Sequence, residues 1–350
     1  MAQRHPDMAL AEVGERAALP AGDVLAAYLR EQATAFLRAL TQSSQGESDT
    51  DAPDAGHQLR RSARRIGSAL HTYGSLTDPA WAEPLRAELG WLSSTLAREH
   101  EHGGRLARLL TALHRLSADE DMLEDEAAAL VPARAQQPAP GGGPLAVGAA
   151  RAGALLERQL SLARTRAHSA ALQAMGSSRF HAVADAVAVL ASEVPLAAAA
   201  GAPAGEVLPT LTGQAHARLA EAVGTLPLPR AGHPYNGDAL RSALAAELSA
   251  ERQDAPWHRV RILLRLSRYA REVFPYADGE PESRPTALAH VLEQHREAAE
   301  AAAAVTSAAR TPRIAPATAY ALGVLHADQR QEVEQARFAF VHLWQRTPVS

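Results

Sequence analysis

The chain has 350 residues and a formal net charge of −4 at pH 7, and all 35 residues of its lysine-plus-arginine total are arginine. The absence of cysteine and lysine excludes disulfides, thiolate nucleophiles, Schiff-base chemistry and a Walker A phosphate loop. Hydrophobic residues make up 47% of the chain but aromatic residues only 4%, which favours closely packed helices over sheets. No apolar run approaches the roughly 18 residues of a membrane span, and no signal-peptide pattern is present, so we expect a soluble cytoplasmic protein.

Helical periodicity predicts an all-α architecture that follows a loose N-terminal leader over residues 1–21. Apolar residues recur at helical spacing in each predicted segment, and no pair of strands is indicated. A long helix starts at Pro79, and an arginine-rich helix starts at Asp254, with this residue as its cap, and runs to about residue 274. The other predicted helices cover residues 24–40, 56–73, 145–175, 179–190, 208–226, 286–309 and 316–344.

Shifts in composition predict the breaks between these elements. Residues 41–55 and 228–238 are typical of solvated, turn-rich loops, and Gly103-Gly104 indicates a break or kink in the long helix. Residues 117–144 change from an acidic run to a segment rich in proline and glycine, which is typical of a linker. We therefore expect one domain over residues 22–345, made of a first repeat (22–116), this linker and a second repeat (145–345).

A short motif, H-x-x-R-x-x-x-R, occurs twice in the chain. It pairs His57 with His258, and the arginines that follow at the third and seventh positions fall within about 60° of the histidine on an α-helix. Each copy therefore predicts a helix with one cationic face. The first arginine stripe consists of His57, Arg60, Arg61, Arg64 and Arg65, and the second arginine stripe consists of His258, Arg261, Arg265 and Arg268.

A cationic face that occurs twice is suited to a polyvalent anion, because arginine keeps its charge and its planar fork grips two oxygens. The alternative is a solvated face, or one paired with glutamates of a neighbouring helix. Glu99-x-x-His102 has the spacing of helical di-iron ligands, but it lacks a second copy, so we expect neither a metal nor another cofactor. The net negative charge and the dispersed tryptophans disfavour nucleic acid as a partner.

The doubled motif and the two-part helical organisation resemble the conserved-histidine α-helical domains, the CHAD family. The resemblance covers residues 22–345, and Arg268-Tyr269 is similar to the pair that closes the family's second motif. Leu96-Ala-Arg98-Glu99 and His295-Arg-Glu297 resemble a further family motif on the helix that follows each stripe. Arg98, Glu99, Arg296 and Glu297 are therefore possible supporting residues.

The resemblance implies two similar helical bundles around a central basic groove that binds inorganic polyphosphate, often at intracellular granules. It implies the two stripes as the walls of that groove, with no catalytic residue, and hence a binding protein and not an enzyme. The fused CYTH triphosphatase domain of some members needs lysine, which this chain lacks. The alternative function is a helical scaffold that binds a protein partner or a phosphorylated ligand in the same groove.

Overall fold

A computed structural model describes residues 16–45, 55–129, 144–233, 250–274 and 283–345. Within these residues the fold is all-α, and the only extended pairings are two isolated bridges, Pro20 with Pro203 and Thr77 with Leu196. The α-helices are α1 (Ala21–Gln45), α2 (Ala55–Thr72), α3 (Pro79–Ala129), α4 (Pro144–Met175), α5 (Ser178–Ser192), α6 (Ala204–Gly224), α7 (Leu228–Ala231), α8 (Ala250–Val273), α9 (Ser283–Ala309) and α10 (Pro316–Gln345). Single 3₁₀ turns cover Gly74–Leu76 and Ala198–Gly201.

The first of two compact units contains Met1–Arg98, Ala167–Thr225 and Arg259–Thr286. Its core is built from the apolar faces of α1, α2, α5 and α6, together with the first part of α3 and the end of α8. Leu25, Leu29 and Phe36 recur at helical spacing along α1 and are fully buried, and Leu59 and Ile66 are buried in the same way on α2. Burial of this face of α2 leaves the opposite face, which carries the first arginine stripe, on the outside of the core.

The second unit contains Glu99–Arg166, Leu226–His258 and Ala287–Ser350. Leu109, Leu156, Val305 and Leu325 are buried in its apolar core, which joins α3, α4, α9 and α10. The helices α4 and α10 approach closely at Gly148, where a Cβ atom would lie only 2.2 Å from the carbonyl oxygen of Ala317. Glycine is therefore required at this position by contact and not by backbone conformation.

Several helix boundaries differ from the predicted ones. The long helix α3 is not interrupted at Gly103-Gly104 and continues through the acidic run to Ala129, so the predicted break and the predicted start of the linker are wrong. Leu106 and Leu109 pack into the second core and hold the helix across the two glycines. The rest of the linker, 130–143, and most of the predicted leader lie outside the described residues. The predicted division into two sequence repeats stays a prediction, and each compact unit takes segments from both halves of the chain.

The predicted cap at Asp254 is also wrong, because α8 begins four residues earlier, at Ala250, and contains Pro256. Asp254 is buried and accepts hydrogen bonds from two arginines of α10, Arg330 at 2.7 Å and Arg337 at 2.6 Å. A buried carboxylate needs such cationic partners. The position of Asp254 is therefore decided by a contact with a distant helix, which local sequence patterns do not report.

The close approach at Gly148 gives a stability prediction. Gly148→Ala should lower the free energy of unfolding by about 1–3 kcal/mol, because the added methyl group forces α4 away from α10. Gly104→Ala is the matched control, since no atom lies within 4 Å of its Cβ position. The control should stabilise by about 0.5–1 kcal/mol through helix propensity alone. Denaturant unfolding of both variants measures this, and equal effects would contradict the contact at Gly148.

Candidate functional site: two arginine stripes

The first arginine stripe lies along one face of α2. Leu59, Ile66 and Leu70 form the buried face of this helix, and they lie about 180–220° around the axis from His57. His57 and Arg61 are exposed, whereas Arg60, Arg64 and Arg65 are half-buried. The stripe is thus partly covered by the protein along Arg60, Arg64 and Arg65 and open to solvent at His57 and Arg61.

The second arginine stripe lies along α8, where it borders the buried face more closely than on α2. Val260 and Ser267 are buried about 180–200° around the axis from His258, whereas buried Leu264 lies only about 40° from Arg268. Arg261, Arg265 and Arg268 are half-buried. Arg268 donates to the hydroxyl of Thr286 at 3.3 Å. Both motifs therefore lie on α-helices, as predicted, with the arginines of each on one side of its helix.

All of the arginines in both stripes belong to the first compact unit, although some 200 residues separate the motifs in sequence. Polar contacts join α8 to α2 and to Tyr73, the residue that follows α2. Arg65 donates to Glu272 from Nε at 2.6 Å and from a terminal nitrogen at 3.0 Å, and the hydroxyl of Tyr73 donates to the backbone oxygen of Ala270 at 2.8 Å. The fold of this unit thus places the two guanidinium sets on directly contacting helices.

Arg61 and Arg64 have no hydrogen-bond or ion-pair partner in the described part of the chain. Arg65 differs, because it is held by Glu272 and lies over the ring of Tyr269 at 5.1 Å. Within the described residues, the first arginine stripe therefore contains two guanidiniums without a carboxylate partner beside one that is already paired.

The supporting residues predicted on α3 and α9 are placed differently from the stripes. Arg296 is buried and pairs with Glu293 at 2.6 Å and Glu300 at 2.7 Å, and Glu297 lies 3.6 Å from Arg108. Glu99 lies 3.7 Å from Arg164. Arg98 is exposed and has no such partner among the residues that the structure describes.

An extended ion-pair network surrounds these residues in the second unit. Arg105 binds Glu300 at 2.6 Å, Arg108 binds Glu332, and Arg115 binds Asp328 at 2.5 Å. In this network each arginine faces at least one carboxylate, so its charge is largely neutralised within the protein. These arginines therefore help to hold the helices together, whereas Arg61 and Arg64 have no carboxylate partner among the described residues.

His258 is the first residue of the second arginine stripe. It is also the last residue of Leu226–His258, a segment of the second unit. Its ring lies 5.7 Å from the ring of buried His295, which in turn accepts a hydrogen bond from Arg337 at 3.2 Å. Because a guanidinium only donates, this nitrogen of His295 carries no proton. His295 also stacks on Trp257, so the buried residues around Asp254 and Arg337 fix the environment of His258.

Two residues were missed by the sequence analysis although the spacing of the motif points to them. His71 and Glu272 both lie fourteen positions after the motif histidines, His57 and His258 respectively. Two heptads return a helix to within about 40° of the same face. Extending the motif by one more heptad would have identified both residues.

His71 continues the first arginine stripe next to further cations. Its Nδ1 lies 2.7 Å from a terminal nitrogen of Arg86, which must be the donor, so the neutral ring carries its proton on Nε2. Burial lowers the pKa of His71 below its usual 6.5, and the charges of Arg86 and Arg218 lower it further against the opposing effect of Glu83. Arg86 is itself paired with Glu83, so His71 continues the stripe beside a guanidinium that already has a carboxylate partner.

Within the described residues, no group of three or more His, Cys, Asp or Glu side chains is arranged to hold a metal ion. A helix with the length and hydropathy needed to cross a membrane is likewise not found in that part of the chain.

The fold and these residues define an all-α protein whose two arginine-bearing helices meet in one compact unit. The sequence model of the CHAD domain matches residues 27–284, and the chain belongs to this family. No curated protein matches the sequence.

Two solved structures are similar over most of the chain. PptA from Streptomyces chartreusis is 53% identical, with 93% of this chain and 100% of that chain covered and a TM-score of 0.74. The CHAD domain from the plant Ricinus communis is 21% identical, with 93% of each chain covered and a TM-score of 0.55. The second comparison supports the fold alone.

The surroundings of His71 give a prediction for its titration. Arg86→Gln should raise the pKa of His71 toward 6.5 without reaching it, because burial and Arg218 remain. Two-dimensional NMR of the imidazole nitrogens measures this, with Arg179→Gln as the control, since Arg179 pairs with Glu88. As the pKa is lowered by folding, the contribution of His71 to stability is full above pH 6.5 and declines as the pH falls below that value. An unchanged pKa in Arg86→Gln would contradict the electrostatic explanation.

Proposed function

We propose that this protein binds inorganic polyphosphate, or a similar polyanion, through the two arginine stripes and does not chemically convert it. The observation that carries the proposal is the meeting of α2 and α8 in one unit, which brings together the guanidiniums of two motifs distant in sequence. Membership of the CHAD domain family supports the same choice of ligand, as the resemblance of the motifs implies.

The proposed binding is electrostatic and multivalent. Polyphosphate carries about one negative charge per phosphate unit, so successive units can be gripped by successive guanidiniums, as in protein contacts with a nucleic-acid backbone. Arg61 and Arg64 suit this role because no carboxylate neutralises them within the described residues. His57 and His258 can donate hydrogen bonds to phosphate oxygens, and a bound anion favours their protonated forms.

The first prediction from this proposal concerns affinity and its dependence on salt. Arg61→Gln/Arg64→Gln should weaken binding of long-chain polyphosphate by one to two orders of magnitude, on the order of tenfold for each lost charge-assisted contact. The slope of log affinity against log salt should become shallower by roughly 1.4–1.8, at about 0.7–0.9 for each phosphate contact. Isothermal titration or fluorescence anisotropy at several salt concentrations measures both quantities.

Arg30→Gln/Arg38→Gln is the matched control, because both arginines are exposed on α1, outside the stripes, and the net charge changes equally. Equal losses in the two double variants would show that only overall charge matters, and the stripes would then not be the site. If wild type fails to bind polyphosphate, the proposal is wrong, and the alternative, a scaffold for a protein partner or phosphorylated ligand, takes its place.

The absence of turnover is tested in the same preparation. Polyphosphate incubated with the protein, with and without added divalent cations, should keep its chain-length distribution on a denaturing gel. Shortening of the polymer at a rate above that of protein-free controls would show an enzyme and contradict this part of the proposal.

Localisation gives a further prediction. A fluorescent fusion of the wild-type chain should concentrate at polyphosphate granules in cells that accumulate them, because granules present the ligand at high density. The Arg61→Gln/Arg64→Gln fusion should remain diffuse, whereas the Arg30→Gln/Arg38→Gln fusion should still concentrate. Identical distributions of all three fusions would contradict recruitment through the stripe.

A further inference from the structure

Glu272 lies on the same face of α8 as the second arginine stripe, just beyond its last member. Placed on the helical wheel of α8, its position falls between those of Arg261 and Arg265, about 20° from each. It follows Arg268 by one helical turn. A carboxylate therefore follows the cations on this face of the helix.

The contacts of Glu272 are those that a phosphate would make. Nε of Arg65 donates to one carboxylate oxygen at 2.6 Å and a terminal nitrogen of Arg65 donates to the other at 3.0 Å, so the Nε side of the guanidinium is engaged in a bidentate pair. The hydroxyl of Tyr28 donates to the same carboxylate at 3.1 Å. Bidentate binding of this kind is the geometry that arginine uses for both carboxylates and phosphates.

Burial reinforces this pairing. The side chains of Arg65 and Glu272 retain 15% and 26% of their exposure, so their attraction is screened less than that of an exposed pair. The pKa of Tyr28 is raised above its usual 10 by burial and by the nearby Glu272, so its hydroxyl remains a donor. The same carboxylate thus ties together α1, α2 and α8.

We propose that Glu272 takes the place of a phosphate group on Arg65. It thereby ends the polyphosphate-binding track, the row of arginines that contacts the polymer, at the place where the two arginine stripes meet. The inference rests on the proposed function. It assigns Arg65 a different role from its neighbours, because its guanidinium is already neutralised before any ligand arrives. The number of phosphates bound is then set by a residue of the protein itself.

The test compares two substitutions that remove one carboxylate charge each. Glu272→Gln should bind long-chain polyphosphate about 3–10-fold more tightly than wild type, with a salt slope steeper by about 0.7–0.9, because Arg65 becomes available for one more phosphate. Glu88→Gln is the matched control, since Glu88 accepts from Arg179 through the same bidentate geometry, at 2.6 and 3.1 Å. This control should stay within about twofold of wild type, as expected for a charge change outside the stripes.

Equal or weaker binding by folded Glu272→Gln would overturn the inference and leave Glu272 as a structural clamp. The charge-neutral variant Arg65→Gln/Glu272→Gln provides a second measurement that does not depend on the single variant being stable. It should bind within about twofold of wild type, because the pair contributes no net charge to the track. A tenfold loss in this variant would show that Arg65 grips the polymer in wild type, which also overturns the inference.

Failure of wild type to bind polyphosphate would instead overturn the proposed function. Binding by wild type together with an unchanged Glu272→Gln would overturn only the role of Glu272. The two failures are therefore distinguished in one series of titrations.

Discussion

The ion pair between Arg65 and Glu272 is the interaction on which the arginine-bearing part of the first unit depends. Two helices that each present several guanidiniums repel each other, and the repulsion grows with each charge added to the facing sides. Glu272 opposes this repulsion at the place where α2 and α8 meet, and the half-buried position keeps its attraction for Arg65 strong. Arg61 and Arg64 can then remain without partners among the described residues while the helices stay in contact.

Arginines of the second unit have a structural role instead. In the second unit, Arg105, Arg108 and Arg296 each face glutamates across or along the helices α3, α9 and α10, and these contacts help to hold the helices together. Asp254 pairs with buried Arg330 and Arg337 in the same unit, and Arg337 also pairs with Glu334. The net charge of −4 therefore includes both arginines that are paired with carboxylates and arginines that are not. Only the local distribution of charge indicates an anion site.

Much of the fold followed from helical periodicity, because buried leucines such as Leu25, Leu29 and Leu59 recur with the period of an α-helix. The errors lie where long-range contacts override local signals. Asp254 has the sequence context of a cap but is bound by arginines of α10, and Gly103-Gly104 stays helical because neighbouring leucines are packed. The faces of the stripes were predictable from spacing, whereas the engagement of Arg65 by Glu272 depends on a contact between helices far apart in sequence.

The two copies of the motif agree at the histidine and at the arginines three and seven positions later, and they diverge at the fourteenth position. There α2 carries His71 next to Arg86 and Arg218, whereas α8 carries Glu272, which is bound to Arg65. Repetition of the motif thus supplies two similar cationic faces, and divergence places a histidine after one and a carboxylate after the other. For a polyanion the two stripes are then different, because His71 lies beside an arginine that Glu83 already pairs, whereas Glu272 engages an arginine of the first stripe itself.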